Sequence, residues 1–494
     1  MRTLLLRTLA GAFALLLGLI AILLVRTWQV GQQADGAMPE GPISMALDTL
    51  ALVQRLAGAL AFPTIAHQEP TQLDSGAFRA FQAYLQHQFP HVHSRLRREV
   101  VGGLSLLYTW PGQDTALPAV LFLGHQDVVP APDPEAWTYP PFAGTVAEGY
   151  VWGRGALDDK LGVLGILEAA ESLLQEGFQP VRTIYLAFGH DEEVGGWQGA
   201  RQIAQRLATR RVVLIAVLDE GGFIVEDMIP GVRQPVALVG VAEKGYLSLE
   251  LTATAVGGHA STPPSQTAIG VLSHALVRLT ENPFPIRLAG PTRRLLEYIA
   301  PYTSWDMRLV LANLWLFGPV VARQLARSPA GNASLRTTAA PTIIEAGVKE
   351  NVLPTTARAV VNFRIYPGET VTSVTLRVRQ LLADLPVTVA QTESGAFDPS
   401  PVSPTESEAF QRVAQSIRRV HAESPLIVAP YLVPGATDAR YFASLSPNVY
   451  RFIGVHLTPE LLATVHGVDE RVPVDAYVQA VRTYYALMRA LSGP

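Results

Sequence analysis

The stretch TIYLAFGHDEEVGG, from Thr183 to Gly196, restricts the fold more than any other part of the chain. Ile184-Tyr185-Leu186-Ala187-Phe188 is an apolar run with one β-branched and two aromatic residues. It reads as a buried strand of the kind found inside a parallel sheet. The strand ends at Gly189, and Asp191, Glu192 and Glu193 follow in a row. Adjacent carboxylates repel one another and gain nothing from burial. They are tolerated at a strand end as a solvated acidic turn, or as a cradle for a cation, since carboxylate oxygens bind zinc at about 2 Å. Taken alone, the stretch leaves both readings open.

Three more apolar runs end the same way. Ala119 to Leu123 reads as a buried strand followed by Gly124-His125-Gln126-Asp127. His125 and Asp127 are two apart, so in extended backbone their side chains share a face. A carboxylate there can accept the spare N–H of a metal-bound imidazole, although the pair alone also suits a satisfied polar strand end. In VWGRGALDDK, Val151 to Lys160, glycines lead to Asp158-Asp159 and then to an amphipathic helix over 161–177; the acids also suit ordinary N-caps. Val212 to Leu218 is a strand ending in Asp219-Glu220. Strand, polar end and helix thus recur, which is the doubly wound α/β pattern with ligands at the carboxyl ends of the strands. His125, Asp158, Glu193 and Asp219 converge there. The chain has no cysteine, so any metal is held by His, Asp and Glu, and disulfides are excluded. A net charge of -4 gives no reason to expect nucleic acid as a partner.

The 494 residues allow two or three domains. Residues 8–25 form an uncharged apolar run of bilayer length, preceded by Arg2 and Arg7. It reads as a signal anchor with the bulk of the chain outside the cytoplasm (periplasmic or extracellular), with a cleaved signal peptide as the rival. Gln29 to Pro42 reads as a polar linker. From Lys244 the pattern changes to β-α-β-β-α-β: strands at 246–254, 342–349, 355–366 and 386–391, helices at 267–279 and 371–382. This order is that of a ferredoxin-like domain inserted into the first. An apolar stretch over 295–325 interrupts it. That stretch reads as helical, either lining an entrance for a greasy substrate or touching the membrane, or else as an ordinary core hairpin. The α/β pattern returns after Ser400. The expected division is an anchor and linker at 1–35, a discontinuous catalytic domain at 36–242 and 398–494, and an inserted lid or dimerisation domain at 243–397.

GHQDVVP, WGRGALDDK, GHDEEVGG, LDEGG, GGHAS, ENVLP and TVHGVDE, in that order, resemble the di-zinc exopeptidase family of aminoacylase, carboxypeptidase S and glutamate carboxypeptidase. Within it the resemblance is closest to carboxypeptidase S and the N-fatty-acyl-amino acid synthase/hydrolase branch, and it covers almost everything from residue 45 onward. It implies one zinc held by His125 and Asp219, a second held by Glu193 and His466, and Asp158 bridging both. The LDEGG form leaves the register open between Asp219 and Glu220. The resemblance further implies a cis peptide at Asp158–Asp159, Asp127 orienting His125, and Glu192 as general base. His259 would donate to the oxyanion, from the partner subunit in dimeric relatives. Asn351 and Arg364 would contact substrate, and Gly435 would offer backbone donors. His190, His274, His421 and His456 match no ligand position. The implied activity is zinc-dependent cleavage, and also formation, of the amide bond of N-acyl amino acids. A dipeptidase or carboxypeptidase is the alternative, and a non-catalytic binding protein on the same fold is the alternative from another class. A homodimer through the inserted domain is a further expectation.

Overall fold

The apolar runs do form the centre of the molecule. In a computed structural model, which describes residues 2–35, 41, 43, 45–393, 395–424 and 426–493, the strands Ala119–His125, Ile184–Gly189 and Leu214–Asp219 lie side by side and parallel. Apart from half-buried Tyr185 and Ile215, their apolar side chains are covered on both faces, as strands in the middle of an α/β sheet require. The ten-stranded sheet runs Arg97–Val101, Ser105–Trp110, Ile184–Gly189, Ala119–His125, Leu214–Asp219, Val449–Arg451, Val236–Glu243, Phe223–Val225, His456–Leu457, with Ile427–Val433 also on Val236–Glu243. The outer pair, Arg97–Val101 and Ser105–Trp110, is an antiparallel edge.

Helices Lys160–Gln175, Glu408–Val420 and Val474–Ser492 bury their apolar stripes against this sheet, and Thr49–Leu60 packs on Lys160–Gln175. One core therefore joins Leu52 and Leu56 from the start of the chain to Tyr484 and Leu487 from its end. Residues 245–391 interrupt the body between these halves and have a core of their own. Their antiparallel sheet has the spatial order Thr338–Ala346, Thr356–Ile365, Gly245–Thr254, Val387–Gln391, and helices Ala268–Glu281 and Val371–Leu381 pack on it.

Two stretches differ from the sequence reading. The long N-terminal helix runs Arg2–Gly31, so Gln29 is helical rather than linker, and a 3-10 turn Gln32–Asp35 follows. Val30 and Gly31 are half-buried, because the helix end leans on the body. The rest of the expected linker, residues 36–40 and 42, lies outside the described residues. The apolar stretch 295–325 is helical: Gly290–Ile299, Trp305–Leu311 and Leu314–Leu325. Its buried side chains share a cluster with Val236, Leu238, Ile427 and Ala429, near the amino-terminal ends of their strands.

The carboxyl ends of the last strands are tied by charge. Glu243 and Arg451, both fully buried, pair at 3.0 Å. Glu243 Oε2 also accepts from the N–H and the hydroxyl of Thr437, each at 3.0 Å. This network fixes the turn after Ile427–Val433, next to the site described below. Removing one member of a buried pair costs more than removing both. Arg451→Met should lower the unfolding free energy by about 3–5 kcal/mol. Glu243→Met/Arg451→Met together should cost less than the single change. Denaturant unfolding checks this, and a double variant weaker than the single would contradict it.

Candidate metal centre

Four strand ends deliver carboxylates and imidazoles to one place. His125 closes Ala119–His125 and is buried. Its Nδ1 lies 3.0 Å from the main-chain carbonyl of Asp127, with the Asp127 carboxylate at 3.5 Å. A proton on Nδ1 leaves Nε2 as the free nitrogen, and Nε2 stands 2.9 Å from Asp158 Oδ1. The other oxygen, Asp158 Oδ2, is 3.0 Å from His466 Nε2. His466 Nε2 is also 3.2 Å from Glu193 Oε2. One carboxylate thus lies between two imidazoles, with a second carboxylate beside the outer one. Donor atoms of His125, Asp158 and Glu193 lie within 4.8 Å of one another.

Each member has a local reason for its position. Asp158 precedes a cis peptide to Asp159. Asp159 caps the helix Lys160–Gln175 by accepting from Gly162 N–H at 3.1 Å, and its other oxygen accepts from His125 N–H at 3.3 Å. Asp127 Oδ2 accepts from Glu193 N–H at 3.0 Å. Asp127 therefore holds His125 mainly through its carbonyl and fixes Glu193 through its carboxylate. His466 adopts a left-handed backbone, φ 60, which is uncommon outside glycine but more frequent for His than for most residues.

The three adjacent acids divide the work. Asp191 turns inward and accepts from Gln198 and Gly199 N–H at 2.7 and 2.8 Å, so it folds the loop. That leaves Glu192 and Glu193 for the centre. Burial pushes the Glu192 carboxyl well above its usual range, and the charges of Asp438 and Glu193 add to this. Burial, with Asp158 next in weight, raises Glu193 to about 7. Burial would also raise Asp158, but His125 and His466 outweigh it and hold this carboxyl below the usual range. Hydrogen bonds to Asp158 and Glu193 raise His466 to about 10.

Asp219 and Glu220 differ in what they face. Asp219 Oδ2 accepts from Ala439 N–H at 2.7 Å. Glu220 is pushed well above its usual range by burial, then by Asp158, Asp219 and Glu192. It is the one of the two whose strongest charged neighbour is Asp158.

Sequence reasoning missed three residues around this cluster. Glu470 Oε1 accepts from the N–H groups of Gly155, Leu157 and Asp158 at 3.1, 2.8 and 3.1 Å, and Oε2 pairs with Arg154 at 2.6 Å. It clamps the loop before Asp158 to the segment that carries His466, and its place in TVHGVDE was the available signal. Arg440 lies over the Phe397 and Tyr441 rings at 4.5 and 4.6 Å and donates to Gly195 O at 2.6 Å. Asp438 is buried with neither oxygen bonded among the described residues. A Cβ on Gly189 or Gly196 would collide with it.

The remaining predicted residues are not in the cluster's hydrogen bonds. Arg364 is half-buried, 5.1 Å over the Tyr246 ring and close enough to Glu192 to feel its charge. Gly435 is half-buried, with open space where a Cβ would stand. His259 is exposed and accepts from Ser261 N–H at 3.1 Å; among the described residues it makes no bond to the cluster. Asn351 is exposed, and its carbonyl accepts from Ala260 N–H beside the short pairing of Gly258–His259 with Val352–Leu353.

The donor set fits a metal. Glu193 Oε1 and Asp127 Oδ1 are buried and unbonded. Protons hold together groups that a dication would bind directly, and the surplus of buried acid is what a cation would relieve. Nitrogen and oxygen donors without sulfur match the zinc sites of hydrolases.

The sequence matches peptidase family M20/M25/M40 over residues 121–490. It is 41% identical over 490 residues to N-fatty-acyl-amino acid synthase/hydrolase PM20D1 of Xenopus tropicalis, covering 98% of this chain and 94% of that one. It is 32% identical to carboxypeptidase S of Saccharomyces cerevisiae, covering 88% and 83%. Among solved structures, the metallo-carboxypeptidase Sso-CP2 of Sulfolobus solfataricus superimposes with a TM-score of 0.66 at 16% identity, covering 90% and 100%. Human carnosine dipeptidase 1 gives 0.62 at 15%, covering 94% and 98%. Strand ends, donor set and sequence agree: the chain belongs to peptidase family M20/M25/M40.

Proposed function

We propose that this chain is a di-zinc hydrolase that cleaves, and in reverse forms, the amide bond of N-acyl amino acids. Hydrolysis of amide and peptide bonds follows from the family. The observation that carries the two-metal reading is the position of Asp158, with His125 on one oxygen at 2.9 Å and His466 on the other at 3.0 Å. His125 would hold one metal and Glu193 with His466 the other, with Asp158 shared between them. Glu220, whose strongest charged neighbour is Asp158, would complete the first in preference to Asp219, whose Oδ2 already accepts from Ala439 N–H. Asp219 then holds the turn 434–439 in place.

When bound, a pair of zinc ions supplies the Lewis acidity that polarises a carbonyl and acidifies water. The protein's own groups do the rest. Glu192, half-buried with Glu193 and Asp438 among its charged neighbours, takes a proton from water at its carboxylate and returns it to the departing amine. Asp127 keeps the Nδ1 proton of His125 in place and fixes Glu193. Arg364, with its charge toward Glu192, grips the substrate carboxylate. Tyr246, stacked on Phe397 at 5.9 Å, forms an apolar wall beside it. His259 and Asn351 meet substrate when the inserted unit, 243–397, acts as a lid over the body of 36–242 and 398–494, or when a second subunit brings its copy. The N-terminal helix anchors the enzyme in a membrane with its body outside the cytoplasm, since Leu4–Gly31 is long and apolar enough to span. Likeness to carboxypeptidase S keeps a carboxypeptidase as the second reading.

Full-length protein with zinc, fed fatty-acyl amino acids, acetyl amino acids and dipeptides, should release amine fastest from the fatty-acyl substrates by mass spectrometry. Turnover of dipeptides alone would favour the second reading. Glu192→Gln should lower kcat by about 10²–10⁴-fold while keeping its zinc, because it removes a proton carrier and no ligand. Arg364→Ala should raise KM about 10–100-fold for substrates with a free carboxylate, from the loss of a charge-assisted pair. It should have little effect on their carboxamides. Glu220→Gln should reduce bound zinc toward one per chain and Asp219→Asn should not, as elemental analysis reports. The opposite order would return the ligand role to Asp219.

A further inference from the structure

The apolar helices of 305–325 do not meet the metal centre. They meet the N-terminal helix. Asn313, fully buried, donates from Nδ2 to Leu23 O at 3.3 Å and to Thr27 Oγ1 at 3.4 Å. Arg26 Nε donates to Ala312 O at 3.3 Å. Thr27 is buried, and Leu23, Val30 and Gly31 are half-buried, so one stripe of the helix rests on the body. From Leu4 to Ile22 the helix is free of the body apart from a half-covered Leu19. At about 1.5 Å per residue this free length is about 28 Å, close to the ~30 Å of a bilayer's hydrocarbon core.

If that length fills the bilayer, the residues that hold its foot lie at the bilayer's edge. Beside Asn313 the helix Leu314–Leu325 turns apolar side chains outward: Trp315 is 50% exposed, Leu316 40% and Val320 61%. Trp315 is held there by its Nε1–H, which donates to Asn313 Oδ1 at 3.3 Å. The same face ends in exposed Arg323 and Gln324, so it runs from apolar beside the anchor to polar away from it. Trp305, which opens the helix Trp305–Leu311 that lies against the anchor, is 58% exposed, and Trp28, near the anchor's foot, is 66% exposed. Tryptophans at the edge of a spanning segment are the pattern of a membrane interface, where their amphipathic rings sit at the headgroup level. Exposed apolar side chains grouped this way on a soluble surface would be a liability.

We propose that the outward face of 305–325 is a second membrane contact, a surface that rests in the headgroup layer and seats the body against the bilayer. Its occupant is the lipid of the membrane that the N-terminal helix spans, so the proposal rests on the anchor reading given above. The surface holds the body at a fixed height, where an amphiphilic substrate dissolved in the leaflet reaches it without crossing open water.

The absence of native cysteine makes a site-specific test direct. Full-length chains carrying Leu16→Cys, Trp315→Cys, Val320→Cys or Val213→Cys are labelled with an environment-sensitive fluorophore. They are reconstituted into vesicles of phosphatidylcholine and phosphatidylglycerol with and without a lipid-borne quencher. Val213 is 60% exposed and lies before the strand Leu214–Asp219, so it reports the bulk body. The proposal expects blue-shifted emission and several-fold stronger quenching at 315 and 320 than at 213, with 16 quenched most. Quenching at 16 with 315 and 320 behaving like 213 overturns the proposal and leaves the anchor standing. No quenching at 16 removes the anchor reading and the proposal with it. Val320→Cys carries the test should Trp315→Cys fold poorly.

Discussion

Everything in the proposed chemistry depends on a single carboxylate, Asp158, placed between two imidazoles. A buried carboxylate is stable only with positive charge or N–H donors around it. The fold supplies both kinds of support. His125 and His466 face its oxygens. Behind it, Glu470 accepts from three consecutive-turn N–H groups and from Arg154, so the loop that presents Asp158 cannot drift from the segment that presents His466. Asp159 ties the same loop to the backbone of His125 and to the first turn of the following helix. Two ligands from opposite ends of the chain are therefore held to one peptide.

The acids around this pair play unequal parts, and hydrogen bonding decides which. Asp191 accepts backbone N–H groups with both oxygens, and Asp219 accepts one with Oδ2. Glu192, Glu193 and Glu220 keep theirs toward the centre, where burial and mutual repulsion push all three up. Such crowding is expensive in a metal-free core and turns favourable once dications share the site. Asp438 adds another buried carboxyl beside Glu192, in space left by Gly189 and Gly196.

The central strands and their polar ends were legible from sequence because apolar runs and chemistry-bearing ends follow one another at short range. His125, Asp158, Glu193 and His466 meet because each ends or follows a strand or loop at the same edge of the body. What sequence could not show depends on distant partners. Asp191 reads as one acid of three until the N–H groups of Gln198 and Gly199 are seen to close on it. Asp219 and Glu220 are adjacent acids in sequence, and only the folded chain brings the Ala439 N–H onto Asp219. Glu470 is an anonymous acid until its loop folds over Gly155 to Asp158. The stretch 295–325 was ambiguous because a core helix and a membrane-facing one share a composition; in the folded chain its buried side chains join the body's apolar cluster and Asn313 bonds to Leu23 and Thr27. His259 stands exposed on the inserted unit and, among the described residues, makes no bond to the cluster, so no local pattern ties it to the centre.

The account places one metal on each side of Asp158, and anomalous scattering tests that claim most directly. Crystals of the zinc-loaded protein, measured on both sides of the zinc absorption edge, should give two anomalous peaks flanking the Asp158 carboxylate, one beside His125 and Glu220, the other beside Glu193 and His466. A single peak, or peaks that leave Asp158 without a metal on either oxygen, would contradict the bridging role and the mechanism built on it.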